Sequence, residues 1–145
     1  MFPHGPITIG GIRLMADAIY PLYKQACLDG TAEDLGSVDI KAALVDTGTY
    51  TYSATHNFLN DVSGVVATSG NLSGKSVTNG TFDAGNVTWS SVSGSSAEAI
   101  ILYYDSGSPS TSRLICYIDS ASGLPVTPNG GDITCTWDAG GIFTL

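Results

Sequence analysis

The chain has 145 residues, a formal net charge of −8, 43% hydrophobic residues and only 12% charged ones. That length suits one domain with a buried core, and the apolar fraction argues against a disordered chain. The five basic residues, Arg13, Lys24, Lys41, Lys75 and Arg113, are never neighbours, so nothing forms a stripe along a phosphate backbone and nucleic acid is not expected as a partner.

Residues 1–14 read as an extended arm. Pro3, Pro6, Gly5, Gly10 and Gly11 break any helix there, and Ile7-Thr8-Ile9 fits a short edge strand. Phe2, Ile7, Ile9 and Ile12 are its large apolar residues and the candidate partner contacts. Either a neighbouring subunit or the arm's own domain is expected to hold it. The N-terminus lacks a positive region followed by an apolar block, so it does not read as a signal peptide. No apolar run reaches the ~18 residues of a membrane span, so no membrane association is expected.

Residues 15–145 read as one β-rich domain opened by a short helix. Met15, Ile19, Leu22, Tyr23 and Ala26 recur at helical spacing. Pro21 either kinks this helix or lies in a first turn that begins near Tyr20, and Gly30 is its stop. Val38–Val45 is a strand. Thr55–Val62 fits a short helical turn capped by Thr55, with His56 read as a loop histidine bonded to backbone.

From Val65 the strands follow closely. Val65–Thr68 and Leu72–Val77 come first, and Thr78-Asn79-Gly80 signals a hairpin into Thr81–Ala84. Asn86–Trp89 is next. Asn71-Leu72-Ser73, Asn79-Gly80-Thr81 and Asn86-Val87-Thr88 match the N-glycosylation pattern and are read as turn and strand residues. Glu98–Asp105 and Arg113–Asp119 are nearly continuous apolar runs around a Ser/Gly/Pro loop, the pattern of a hairpin covered on both faces in mid-sheet. Asp46, Asp105 and Asp119 close strands where a carboxylate caps a turn. Leu124–Pro128 is an edge or a loop because its prolines remove ladder donors. Asp132–Asp138 alternates, with Ile133, Cys135 and Trp137 on one face, and the apolar Ile142–Leu145 is expected to pack. Together these elements predict a mainly β fold, a β-sandwich or flattened barrel of about seven to nine strands.

Chemical motifs are sparse. Ser73-Gly74-Lys75-Ser76 has Ser69 where a phosphate loop needs its first glycine. Cys27, Cys116 and Cys135 are too few and too spread for a disulfide framework. Cys116 and Cys135 read as buried thiols, with a bridge open if their strands pair. No catalytic residue, metal or cofactor is expected, and the chain is not expected to be an enzyme. A receptor- or carbohydrate-binding module would need exposed aromatics on one face. Trp89, Trp137, Tyr50, Tyr52, Tyr103 and Tyr104 are the candidates, although Trp137 and Tyr103 read as core.

Several phrases in order resemble a family of small virion proteins of tailed bacteriophages. They are Val38–Asp46, Ala54–Val62, Val66–Lys75, Phe82–Thr88, Gly123–Ile133 and the closing Trp137-Asp138 with Ile142-Phe143. The most specific is Gly123-Leu124-Pro125-Val126-Thr127-Pro128-Asn129-Gly130-Gly131-Asp132-Ile133. The resemblance covers about residues 16–145 and leaves residues 1–14 as an addition. It implies a virion structural protein without catalytic residues. Within a virion the expected role is a capsid decoration, or cement, protein on the outer surface, self-associating as a trimer and bridging major capsid subunits. A tail, neck or baseplate component is the alternative.

Overall fold

The computed structural model describes residues 5–12 and 18–145. In chain order its elements are strand β1 (Ile7–Ile12), β2 (Ala18–Ile19), helix α1 (Pro21–Asp29), β3 (Ile40–Val45), a 3-10 turn (Leu59–Asp61), β4 (Val65–Thr68), β5 (Ser76–Thr78), β6 (Thr81–Asp83), β7 (Val87–Trp89), β8 (Ala99–Tyr104), β9 (Leu114–Ile118), β10 (Ile133–Trp137) and β11 (Phe143–Thr144). The fold is mainly β and sandwich-like. Its described strands form a five-stranded sheet in the order β2-β9-β8-β3-β4 and two three-stranded sheets, β1-β10-β7 and β11-β6-β5. No described sheet closes into a barrel. The strand count exceeds the expected one partly because β2, a two-residue pairing, is too short to register as a hydrophobic pattern.

The hairpin β8–β9 is the centre, as its composition predicts. Every residue of Leu114–Ile118 is buried, as is every residue of Ala99–Tyr103, so this sheet is covered on both faces. β3 pairs with β8 along its whole length, from Ile40 opposite Tyr104 to Val45 opposite Ala99. The β8–β9 register shifts between Leu102 and Tyr103. The extra residue, Ile115, turns its carbonyl to the N–H of Tyr20 and so guides the chain from β2 into α1.

The start of α1 settles the Pro21 alternatives. Pro21 occupies the first helical turn, and Tyr20 before it is extended at φ −57°, ψ 128°. A proline ring disfavours helical backbone in the preceding residue. The apolar spacing upstream is therefore not helical: Ala18 and Ile19 pair with Tyr117 and Cys116 of β9. Met15 lies outside the described residues. Gly30 ends the helix in the left-handed region at φ 79°, and its N–H reaches the carbonyl of Ala26. Tyr23 and Ala26 face the core, while Leu28 is 90% exposed.

The arm is not free over its described part. β1 runs parallel to β10, with Ile7 opposite Ile133 and Ile9 opposite Cys135. β10 buries Ile133, Cys135 and Trp137 and leaves the alternate positions half-buried, the alternation its sequence predicts. The run Gly123–Ile133 joins β9 to β10 through several fixed points. Gly123 has φ 96°, and a Cβ there would lie 3.1 Å from the carbonyl oxygen of Thr8, so glycine fits where β1 crosses. The Leu124–Pro125 peptide is cis. Val126 is buried and bridges to Ala97. Asn129 Oδ1 accepts from the N–H of Gly131, and Gly130 and Gly131 exchange backbone bonds with Val92. Asp132 Oδ1 accepts from the N–H of Ser91.

Candidate functional site

A buried polar arrangement is built from two tyrosines and a histidine, with Tyr20 thirty residues before Tyr50. The hydroxyls of Tyr20 and Tyr50 are 2.9 Å apart, and Tyr50 Oη lies 2.7 Å from Nδ1 of His56. Tyr20 and Tyr50 are buried. Each hydroxyl has one proton to place. All are used when Tyr20 donates to Tyr50 and Tyr50 donates to Nδ1, which leaves the imidazole proton of His56 on Nε2. Burial, and then the bond to Tyr50, push the Tyr20 phenol well above its ordinary range. Tyr117 and Tyr52 stack beside this chain, with ring centroids 5.2 Å apart. His56 is thus bonded through its ring to a side chain, where sequence reading expected a backbone partner. The 3-10 turn that follows is capped from Asp61, not Thr55: Asp61 Oδ2 accepts from the N–H groups of Asn57 and Phe58 at 2.8 and 3.1 Å. These bonds, Asn57 first, hold the Asp61 carboxyl below the usual range.

The described cations are largely tied to the fold. Arg113 Nε lies 3.2 Å from Glu33 Oε2, and its guanidinium carbon sits 5.6 Å from the ring centre of Phe58. Lys41 Nζ is 2.7 Å from Asp105 Oδ2, which lowers the Asp105 carboxyl. Lys75 Nζ donates to the carbonyl of Val38. Asp46 and Asp105 also cap turns as expected, accepting from the N–H groups of Gly48 and Gly107. No group of three or more His, Cys, Asp or Glu is placed to hold a metal ion among the described residues.

The aromatic residues considered for a carbohydrate platform point inward. Trp89 Nε1 donates to the carbonyl of Ala42 and Trp137 Nε1 to that of Gly85, both at 3.0 Å. Tyr50 and Tyr103 are buried, and Tyr52 and Tyr104 are half-buried. Cys116 and Cys135 are buried, lie in different sheets and are not joined by a disulfide, so the bridge left open by the sequence is not formed.

The candidate contact residues separate. Phe2 lies outside the described residues. Ile12 continues β1 opposite Trp137. Ile7 is half-buried, and Ile9 is wholly buried in the domain's own core. Of the two holders considered for the arm, its own domain is the one that accounts for residues 7–12, because Ile9 completes the layer that Cys135 belongs to. Among the described residues the large apolar side chains left exposed are Leu28, Val65, Val77 and Leu145; of the segment Ile142–Leu145, expected to pack, Ile142 and Phe143 are buried and the terminal Leu145 is not. Val77 carried a readable signal, a lone apolar residue between Ser76 and Thr78 beside the Asn79-Gly80 turn. Among the described residues no helix is long and apolar enough to cross a membrane. No protein-family model matches the chain, and no curated protein matches its sequence.

Proposed function

We propose that the protein is a structural component of a tailed-bacteriophage virion, a decoration protein that sits on the outer capsid surface and bridges neighbouring major capsid subunits. The observation that carries this reading is the run Gly123–Ile133, the most specific phrase of the family resemblance. Nearly every residue type in it has a structural task at the β9–β10 connection: Gly123 under β1, buried Val126, and the Asn129 and Asp132 carbonyl and carboxyl caps. The connection that this phrase builds is what supports the reading.

The physical design suits work done by contact area. A compact sheet-built domain laid across a joint adds buried surface where internal pressure pulls subunits apart, and about 1,600 Å² per contact suffices for stable attachment. The role needs no catalytic residue and no cofactor. Because Ile9 is in the domain's own core, bridging falls to the outer surface of the domain and not to residues 7–12 as a free tether. Self-association as a trimer would place three copies around a local three-fold axis.

The test is reconstitution. Purified protein added to capsids that lack it should bind in hundreds of copies, counted by quantitative mass spectrometry and located by electron cryomicroscopy. Filled heads carrying it should burst at a higher temperature than bare ones. A ring-sized copy number would move the protein to the tail or neck. Absence from purified particles would end the virion reading.

A further inference from the structure

We propose that the open edge of β5, with the apolar hollow beside it, is a docking site for an extended segment of another protein that carries one large apolar side chain flanked by lysine or arginine. Among the described residues β5 is the outermost strand of its sheet. Val77 stands opposite Phe82. Phe82 turns its carbonyl the other way, accepting from the N–H of Ile142 beside β11 at 2.8 Å. Backbone groups in an antiparallel pair alternate in direction, so the 77–82 pair is the one whose groups diverge, and the N–H and C=O of Val77 face the open side. The two-residue turn Asn79-Gly80, with φ of 51° and 79°, fixes this register.

The side chain of Val77 shares a face with Phe82 and borders a hollow of about 190 Å³ lined by Tyr23, Leu35, Val77, Phe82, Phe143 and Leu145. A cavity of ~150 Å³ already admits benzene, so one aromatic or branched aliphatic side chain fits. Val77 and Leu145 are 55% and 58% exposed, apolar surface that an occupant would cover. Edge strands are commonly guarded by lysine. Here the adjacent Lys75 is tied back to the carbonyl of Val38.

Charge selects the occupant. Glu33 and Asp34 also line the hollow, and no lysine or arginine does. Arg113 answers Glu33, while the carboxylate of Asp34 takes only the N–H of Gly36. On a chain of net charge −8, a second copy would bring like charge to this rim. A basic-flanked strand brings the opposite sign, adds backbone bonds at Val77 and seats its apolar residue in the hollow. The site serves any assembly and stands whether or not the chain belongs to a virion.

The probe is a fluorescein-labelled peptide of threonine and valine around one phenylalanine, with lysine at both ends; its counterpart has glutamate at both ends. The lysine peptide should bind saturably to the full chain, shift the amide resonances of Val77, Phe82 and Phe143, and bind at least about tenfold tighter than the glutamate peptide, a difference of ~1.4 kcal/mol. Val77→Pro removes the outward N–H and leaves the backbone bonds of Ser76 and Thr78 to β6 in place, so it should still fold, melt within several degrees of wild type and lose the peptide. Asp34→Asn keeps the turn acceptor and removes the charge, so it should narrow the preference for lysine even if the proline variant fails to fold. Equal binding of both peptides, no binding, shifts confined to another face, or dimerisation of the chain through this edge would overturn the proposal.

Discussion

Replacing Ile9 by alanine separates a strand of the domain's own core from an anchoring arm. Ile9 is fully buried, lies opposite Cys135 and packs where a Cβ added at Gly123 would come within 3.3 Å of its Cα. Truncating a buried isoleucine removes apolar surface and leaves a cavity, at a cost of roughly 2–4 kcal/mol in a site of this kind. For a domain of this size each kcal/mol lowers the melting temperature by roughly 3 °C, so Ile9→Ala should melt about 6–12 °C below wild type. Ile7, half-buried on the same strand, should cost about 1 kcal/mol and about 3 °C when replaced likewise. Calorimetry at two protein concentrations tenfold apart is the assay, with a far-ultraviolet spectrum of each variant. An Ile9→Ala protein that melts like wild type would refute the burial argument. An Ile9→Ala deficit that disappears at the lower protein concentration would place Ile9 in a neighbour's core instead.

Ile101→Asp or Ile115→Asp should leave no folded domain, because each side chain is wholly buried in the central hairpin and a carboxylate there has no counter-charge; a cooperative melt for either would contradict the mid-sheet position. Asp61 and Asp105 have folded-state carboxyls below their unfolded value, Asp61 through the N–H groups of Asn57 and Phe58 and Asp105 through Lys41. Their contribution is therefore present above about pH 4 and lost as the pH falls through the lowered folded values. Asp61→Asn should flatten the acid limb of urea midpoint against pH, and parallel limbs would show that the cap contributes nothing. Cys116 and Cys135 are buried, and burial pushes the Cys135 thiol up. Native protein should therefore yield no more than the Cys27 thiol to Ellman's reagent, and denatured protein all three; fast modification of Cys135 in the native state would contradict its packing.

Much of this architecture was legible in the sequence where local chemistry decides it. Continuous apolar runs marked β8 and β9, alternation marked β10, and Asn79-Gly80 marked the hairpin β5–β6. Pro21 and Gly30 set both ends of α1 once the backbone restriction on Tyr20 is allowed for. What local patterns miss is partner choice. Ala18 and Ile19 sit at helical spacing from Leu22 and Tyr23, yet β9 offers Cys116 and Tyr117 as ladder partners and wins. Similarly, β6 and β7 are neighbours in sequence and belong to different sheets, because β11 and β10 claim them. The hydrogen-bonded chain from Tyr20 through Tyr50 to His56 joins three segments with no shared motif. The docking edge depends on one valine whose exposure follows from strand order alone.

The parallel pairing of β1 with β10 has a consequence for synthesis. Ile9 leaves the ribosome long before Cys135 exists, so the nascent chain carries Ile7 and Ile9 uncovered while the hairpins β5–β6 and β8–β9 are already able to form. Closing a loop that encloses most of the polypeptide is the slowest kind of contact to make. Translation therefore delivers the elements from β2 to β9 before β1 has its partner, and until β1 docks one edge of β10 stays open to the same strand from a second nascent chain.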